Sequence, residues 1–241
     1  MTPRTPVVLC ILDGWGLAPP GPGNAPALAH TPHIDRVLAR CPNATLITHG
    51  TDNGLPPGQM GNSEVGHTHI GAGRVVPMGL RQIDLAIEEG VFAQNTEIKN
   101  FVASVKRAGG RAHLLGIVSD GGVHAHLAHM IAAAQACATA GLEVLIHAIT
   151  DGRDVAPGSA YRYISTLNEA LPSTAKIVTL TGRYFAMDRD NRWSQTQEAF
   201  DAIVRAKGVT SPDAHAAITA ASNRSESDEF ISATVLGDYS G

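Results

Sequence analysis

AHLLGIV at residues 112–118, EVLIHAI at 143–149 and KIVTL at 176–180 decide how this chain is read. Each run is apolar, rich in branched side chains and bounded by turn residues, the pattern of a buried strand. An alanine-rich stretch, 125–140, separates the first run from the second, and 159–170 separates the second from the third. Residues 193–207 follow the third, and all three stretches are predicted helices. Strand and helix alternate with short connections, which predicts an α/β fold with a parallel sheet covered by helices. In such a sheet the segments just past the strand ends line one crevice. Here they are SDGGVHAH at 119–126, TDGRD at 150–154 and GRYFAMDRDNRW at 182–193.

Upstream the pattern is sparser. Residues 7–12, VVLCIL, lie between Pro6 and Asp13-Gly14 and predict a buried strand ending in a tight turn. Residues 45–48 predict a second short strand. Residues 31–40 predict a helix, with Thr31 placed to cap it, Pro32 in its first turn, and Ile34, Val37 and Leu38 on one face. The stretch 50–73 is rich in glycine and polar residues, a poor core and a good site loop, with a helix beginning near Ser63. Residues 83–89 and 95–108 are predicted helices, and a domain boundary falls near 76–79. The chain stops shortly after the apolar run 230–236. That predicts a domain cut short, with part of its sheet unpaired.

Eighteen lysines and arginines against 22 aspartates and glutamates leave a net charge of −4, which argues against a nucleic-acid partner but not against a local anion site. Cys10, Cys41 and Cys137 are widely spaced and form no CxxC pair, so a reducing compartment, the cytoplasm, is expected. No apolar run reaches the length of a membrane span.

Several residues fit a phosphate chemistry, each with an ordinary alternative. Asp13 ends an apolar run before Gly14-Trp15-Gly16, where a carboxylate suits a metal or merely forms an Asp-Gly turn. Ser63 lies at an expected helix start, where free N–H groups favour an anion. Its hydroxyl fits a nucleophile, or an ordinary N-cap. The pairs His67/His69 and His126/His129 have spacings that could share a metal, or are polar surface. His124 suits contact with substrate. Arg153 with Asp154, then Arg183 and Arg189, collect at successive strand ends. Arginine supplies planar paired donors for phosphate or carboxylate; the alternative is that Arg–Asp pairs brace one another.

These motifs occur together in a recognisable order. LDGWG at 12–16, GNSEVGH at 61–67, IGAGRVV at 70–76, and the three strand-end segments resemble the N-terminal part of the cofactor-independent (2,3-bisphosphoglycerate-independent) phosphoglycerate mutases of the alkaline-phosphatase superfamily. The resemblance runs over essentially the whole chain. It implies residues 1–76 as the first part of a metal-dependent phosphatase-like domain. It implies residues 77–241 as most of an inserted α/β phosphotransferase domain. It also implies interconversion of 2-phosphoglycerate and 3-phosphoglycerate through a phosphoserine, without 2,3-bisphosphoglycerate.

By the same resemblance, Ser63 is the nucleophile and also a metal ligand. Asp13 is a second metal ligand, and His124, Arg153, Asp154, Arg183 and Arg189 hold the phosphoglycerate. Arg192 has a supporting role. Two divalent metals, usually manganese, are implied, with the remaining ligands in a C-terminal segment that this sequence does not contain. The parent is compatible with a monomer. The chain alone is expected to be inactive. A phosphoglycerate-binding fragment without catalysis, or a related metal-dependent phosphohydrolase, remain the alternatives.

Overall fold

The computed structural model describes residues 5–241, and the chain divides into two units between Met78 and Gly79. Among its described residues the first unit carries the α-helices α1 (Ala25–Leu28), α2 (Pro32–Arg40) and α3 (Ser63–Ala72). Helix α2 forms where the sequence predicts it. Proline occupies its first turn, and Thr31 stands at the cap position. The Thr31 hydroxyl donates to the Asp35 carboxylate at 3.0 Å instead of accepting from a helix amide.

Neither predicted strand of this unit forms. Residues 7–12 and 45–48 are irregular, and Val7, Val8 and Leu46 are 94%, 86% and 87% exposed. The physical reason is pairing. A strand is held by hydrogen bonds to a neighbour, and residues 5–78 contain no neighbouring strand. Apolar composition alone does not make one.

The second unit holds α4 (Gly79–Glu88), α5 (Thr96–Arg107), β1 (Ala112–Ile117), α6 (Leu127–Thr139), β2 (Val144–Thr150) and α7 (Ala160–Ala170). It continues with β3 (Ala175–Gly182), α8 (Arg183–Ala186), α9 (Trp193–Arg205), β4 (Val209–Ser211), α10 (Ala214–Asn223) and β5 (Thr234–Leu236). The sheet order is β1-β2-β3-β5-β4. Strands β1, β2 and β3 run parallel, joined by helical crossovers, as the alternating pattern predicts.

The rest of the sheet departs from that expectation. β5 lies antiparallel to β3 and parallel to β4, so the sheet is mixed. The terminal apolar run is not left unpaired either. It enters the sheet between β3 and β4 and is buried at all three positions of β5.

All seven residues of β2 are buried, which explains why its run is apolar but for His147 and Thr150. Its side chains alternate between two packed faces. Val144, Ile146 and Ala148 join Ala134 and Cys137 of α6, Ile164 and Leu167 of α7, and Ala217 and Ala221 of α10. Leu145 packs on the other face with Val178, Val235, Tyr239 and Ala202 of α9. Truncating Ile164 or Leu167 to alanine should cost about 2–5 kcal/mol, because both are fully buried.

Two glycines let the segment 228–231 cross the strand ends. A Cβ on Gly182 would lie 2.4 Å from the Glu229 carbonyl oxygen, and one on Gly152, at φ +73°, would lie 2.9 Å from the Asp228 Cβ. Only glycine admits so close a backbone approach. Thr150 Oγ1 donates to the Asp228 carbonyl at 2.7 Å, and the Asp228 carboxylate accepts from the Ala160 amide at 2.9 Å. Glu229 is thereby set beside the ends of β2 and β3. Among the described residues, no helix is long and apolar enough to cross a membrane.

Candidate active site

In the first unit, a hydroxyl meets a carboxylate across 50 residues of sequence. Asn62 caps α3: its side chain accepts from the Val65 amide at 3.0 Å. Ser63 is therefore the first helical residue and not the cap, and its hydroxyl is available for other contacts. Ser63 Oγ donates to Asp13 Oδ2 at 2.6 Å and lies 3.2 Å from His67 Nδ1. His67 Nδ1 also lies 2.8 Å from the Ser63 carbonyl. The hydroxyl sits in the first turn of a ten-residue helix, where the exposed N–H groups favour negative charge.

Asp13 Oδ2 and Ser63 Oγ are hard oxygen donors side by side, a fit for one edge of an oxygen-preferring divalent cation such as manganese. They supply only part of a coordination shell. No group of three or more histidine, cysteine, aspartate or glutamate side chains suited to a metal occurs among the described residues. The other histidine pairs have different occupations. His69 Nε2 lies 3.2 Å from the Val76 carbonyl. His126 caps α6 by accepting from the Ala128 amide, and His129 pairs with Asp84 at 2.7 Å.

In the second unit, the ends of the three parallel strands converge. Arg183 follows β3 directly and is 8% exposed. Its Nη1 contacts Asp151 Oδ1 at 2.6 Å and Asp154 Oδ2 at 2.8 Å. Burial alone would lower the Arg183 pKa, but the bonds to Asp154 and Asp151 outweigh it and raise the pKa further. Burial alone would push the Asp151 carboxyl up. Bonds from Ser119, the Asp154 amide, Arg183 and the Arg153 amide outweigh that and hold it below the ordinary carboxylate range. Both groups are therefore charged at neutral pH.

His124 Nε2 lies 3.8 Å from Asp154 Oδ2, so the β1 and β2 ends meet there too. Arg153 reaches Glu229 at 3.3 Å and keeps a largely exposed side chain. Arg189 is exposed and pairs with no carboxylate among the described residues. Arg192 pairs with Asp190 at 3.0 Å and reaches the Tyr184 hydroxyl at 3.4 Å. Arg153, Arg183, Arg189 and Arg192 line one cleft of about 200 Å³, together with Tyr184 and Glu229.

The structure thus gathers Asp13 with Ser63, and His124 with Arg153, Asp154, Arg183 and Arg189 along one strand-end edge. Sequence reasoning missed Asp151, Ser119 and Glu229. Asp151 stands inside the TDGRD motif, where position alone does not say which carboxylate turns inward. Glu229 lies 76 residues from Arg153, and no local signal links them.

A model of the family described as "BPG-independent PGAM N-terminus" matches residues 83–241. A 2,3-bisphosphoglycerate-independent phosphoglycerate mutase of Dinoroseobacter shibae is 63% identical over 241 residues, covering 100% of this chain and 48% of the relative. One from Ruegeria pomeroyi is 62% identical with the same coverage. The crystal structure of Leishmania mexicana phosphoglycerate mutase at low cobalt concentration superposes with a TM-score of 0.72 at 31% identity. That match covers 94% of this chain and 44% of that one. The chain spans about half the length of the curated relatives it matches. With an α/β fold, ordered motifs and a family match over most of its length, the chain belongs to the cofactor-independent phosphoglycerate mutase family, whose N-terminal region it matches.

Proposed function

We propose that this chain is the N-terminal half of a mutase that interconverts 2-phosphoglycerate and 3-phosphoglycerate through a phosphoserine on Ser63. Residues 1–76 act as the first part of an alkaline-phosphatase-like domain, and residues 77–241 as most of the inserted phosphotransferase domain. The observation that carries the reading is the 2.6 Å contact between Ser63 Oγ and Asp13 Oδ2 at the start of α3. It sets a potential nucleophile against a potential metal ligand in a field that favours phosphate.

The residues divide the work. Ser63 accepts the phosphoryl group, splitting one transfer into two steps. The α3 N-terminus stabilises the phosphate it then carries. Asp13 and Ser63 would hold part of a divalent-metal site. Such metals, when bound, lower the serine pKa and offset charge developing on phosphorus. Arg153, Arg183 and Arg189 grip the phosphoglycerate anion, and Arg192 supports them through Tyr184 and Asp190. Asp154 and His124 exchange hydrogen bonds with the glycerate hydroxyls. The glycerate must stay bound while it turns its other hydroxyl toward the phosphoserine, and these residues hold it meanwhile.

The exposed apolar runs 7–12 and 45–48 support a partner segment in the same protein. Paired with further strands, they would become the buried strands their composition predicts. The rest of the metal shell belongs to that segment on this reading.

Ser63→Ala tests the proposal in the intact enzyme. The variant should fold, lose mutase turnover and carry no phosphate after incubation with 3-phosphoglycerate, whereas phosphopeptide mapping of the wild type should find Ser63 modified. Substantial turnover by the variant would remove the nucleophile from Ser63. A second reading, phosphoglycerate binding without catalysis, is favoured by the two-ligand metal edge of the described residues. It predicts that the wild type binds phosphoglycerate and produces neither isomer nor free phosphate.

A further inference from the structure

Asp151 has no part in the roles assigned above, yet it is the most connected side chain of the strand-end edge. It is 3% exposed and follows the last residue of β2. Ser119, just past the end of β1, donates its hydroxyl to Oδ2 at 2.6 Å. The amides of Arg153 and Asp154 donate to Oδ1 at 3.2 and 3.0 Å. Arg183, just past β3, donates Nη1 to the same oxygen at 2.6 Å. One buried carboxylate thus ties together three adjacent strand ends, and those ends carry His124, Arg153, Asp154 and Arg183.

We infer that Asp151 is a positioning residue: it orients the Arg183 guanidinium and closes the turn that presents Arg153 and Asp154 to the phosphoglycerate. The inference rests on the mutase reading of the same site.

Electrostatics separate this role from a simple charge balance. Arg183 already has Asp154 on its Nη1 at 2.8 Å. A second carboxylate adds negative charge beside a site for an anion, which by Coulomb's law opposes binding. What Asp151 contributes is geometry. Both carboxylates take Nη1, and no hydrogen bond engages Nε or Nη2 of Arg183 among the described residues. Those donors remain for the anion, held at a fixed angle. Four hydrogen bonds converging on a buried carboxylate fix its rotamer, and it fixes the arginine in turn.

Neutralising Asp151 therefore moves binding and turnover apart. Asp151→Asn keeps an oxygen to accept from the two amides and an NH2 to donate to Ser119 Oγ, so the turn can persist. In the intact enzyme we expect kcat for 3-phosphoglycerate to fall roughly 10–100-fold while KM rises little or falls. We also expect a larger share of turnovers to end as free phosphate and glycerate. A loosely held glycerate lets water attack phosphorus. The serine Oγ–P bond breaks, the water oxygen bonds to phosphorus, and one water proton returns to the serine oxygen.

Ser119→Ala removes one bond to Asp151 and keeps its charge; it should shift the same partition more weakly, and it decides the matter if Asp151→Asn does not fold. Wild-type kcat and wild-type partition in the folded variants would overturn the inference. So would a kcat loss matched by the loss of folded protein, with the partition unchanged. A wild-type enzyme that forms no isomer would instead overturn the mutase reading beneath it.

Discussion

At the scale of single residues, the decisive contrast is between Arg183 and Arg153. Arg183 is buried against two carboxylates, whereas the Arg153 side chain is 59% exposed and makes one longer contact to Glu229. Lysine preserves charge but presents one compact ammonium in place of a planar fork. Arg183→Lys should therefore weaken phosphoglycerate binding by roughly 2–5 kcal/mol, the range for a desolvated charged contact. Arg153→Lys should cost less, because water screens its site. Calorimetric titration of both variants checks the order, and equal losses would contradict it. The motifs made the arginines legible as candidates. Their unequal burial was not legible, since all follow strands in similar polar segments. Ser63 shows the same limit: Asn62 and Ser63 are both good cap residues, and only the structure assigns the cap to Asn62.

At the scale of elements, β2 carries an anomaly within its apolar run. His147 is 1% exposed, lies 2.9 Å from His113 Nδ1 and 2.9 Å from Thr179 Oγ1, and meets the Tyr239 ring edge-on. Burial, then the neighbouring His113, pushes its pKa down to about 4. His113 is also shifted down, by burial and by Arg111. A depressed folded pKa means the unfolded chain binds the proton first. The stability from neutral His147 is complete above the unfolded value of about 6.5 and is lost progressively as pH falls toward 4. The loss across that window should be about 3 kcal/mol. Urea midpoints at pH 7 and pH 4.5 measure it, and His147→Gln, which does not titrate, should show a smaller drop. Elements of the first unit predict a different contrast. In the 241-residue chain, amides of residues 7–12 and 45–48 lack strand partners and should exchange with solvent far faster than those of 144–150, as mass-spectrometric hydrogen exchange would show.

At the scale of the whole molecule, the two units differ in what they complete. The second builds a five-stranded sheet with helices packed on both faces. The first leaves its expected strands exposed and offers the proposed metal site two oxygen donors, Asp13 and Ser63. The 241-residue chain by itself should therefore show no mutase turnover, even with excess manganese, while its arginine cleft still binds 3-phosphoglycerate weakly. A coupled assay of the chain beside the intact enzyme tests this, with Ser63→Ala as the contamination control. Turnover within about tenfold of the intact enzyme would overturn the expectation.

The sequence by itself determined β1, β2 and β3, their crossover helices and the edge on which His124, Arg153, Asp154, Arg183 and Arg189 collect. Those features follow from local pattern: a central strand covered on both faces is mostly apolar, and a polar segment follows where the chain leaves the core. Tertiary structure alone decided the rest. β5 enters antiparallel beside β3, residues 7–12 form no strand, and Asp151 turns inward while Arg153 faces water. Each depends on which distant segments are present to supply hydrogen bonds or opposite charge. Periodicity reports whether a residue is to be buried; it carries no information about what will bury it.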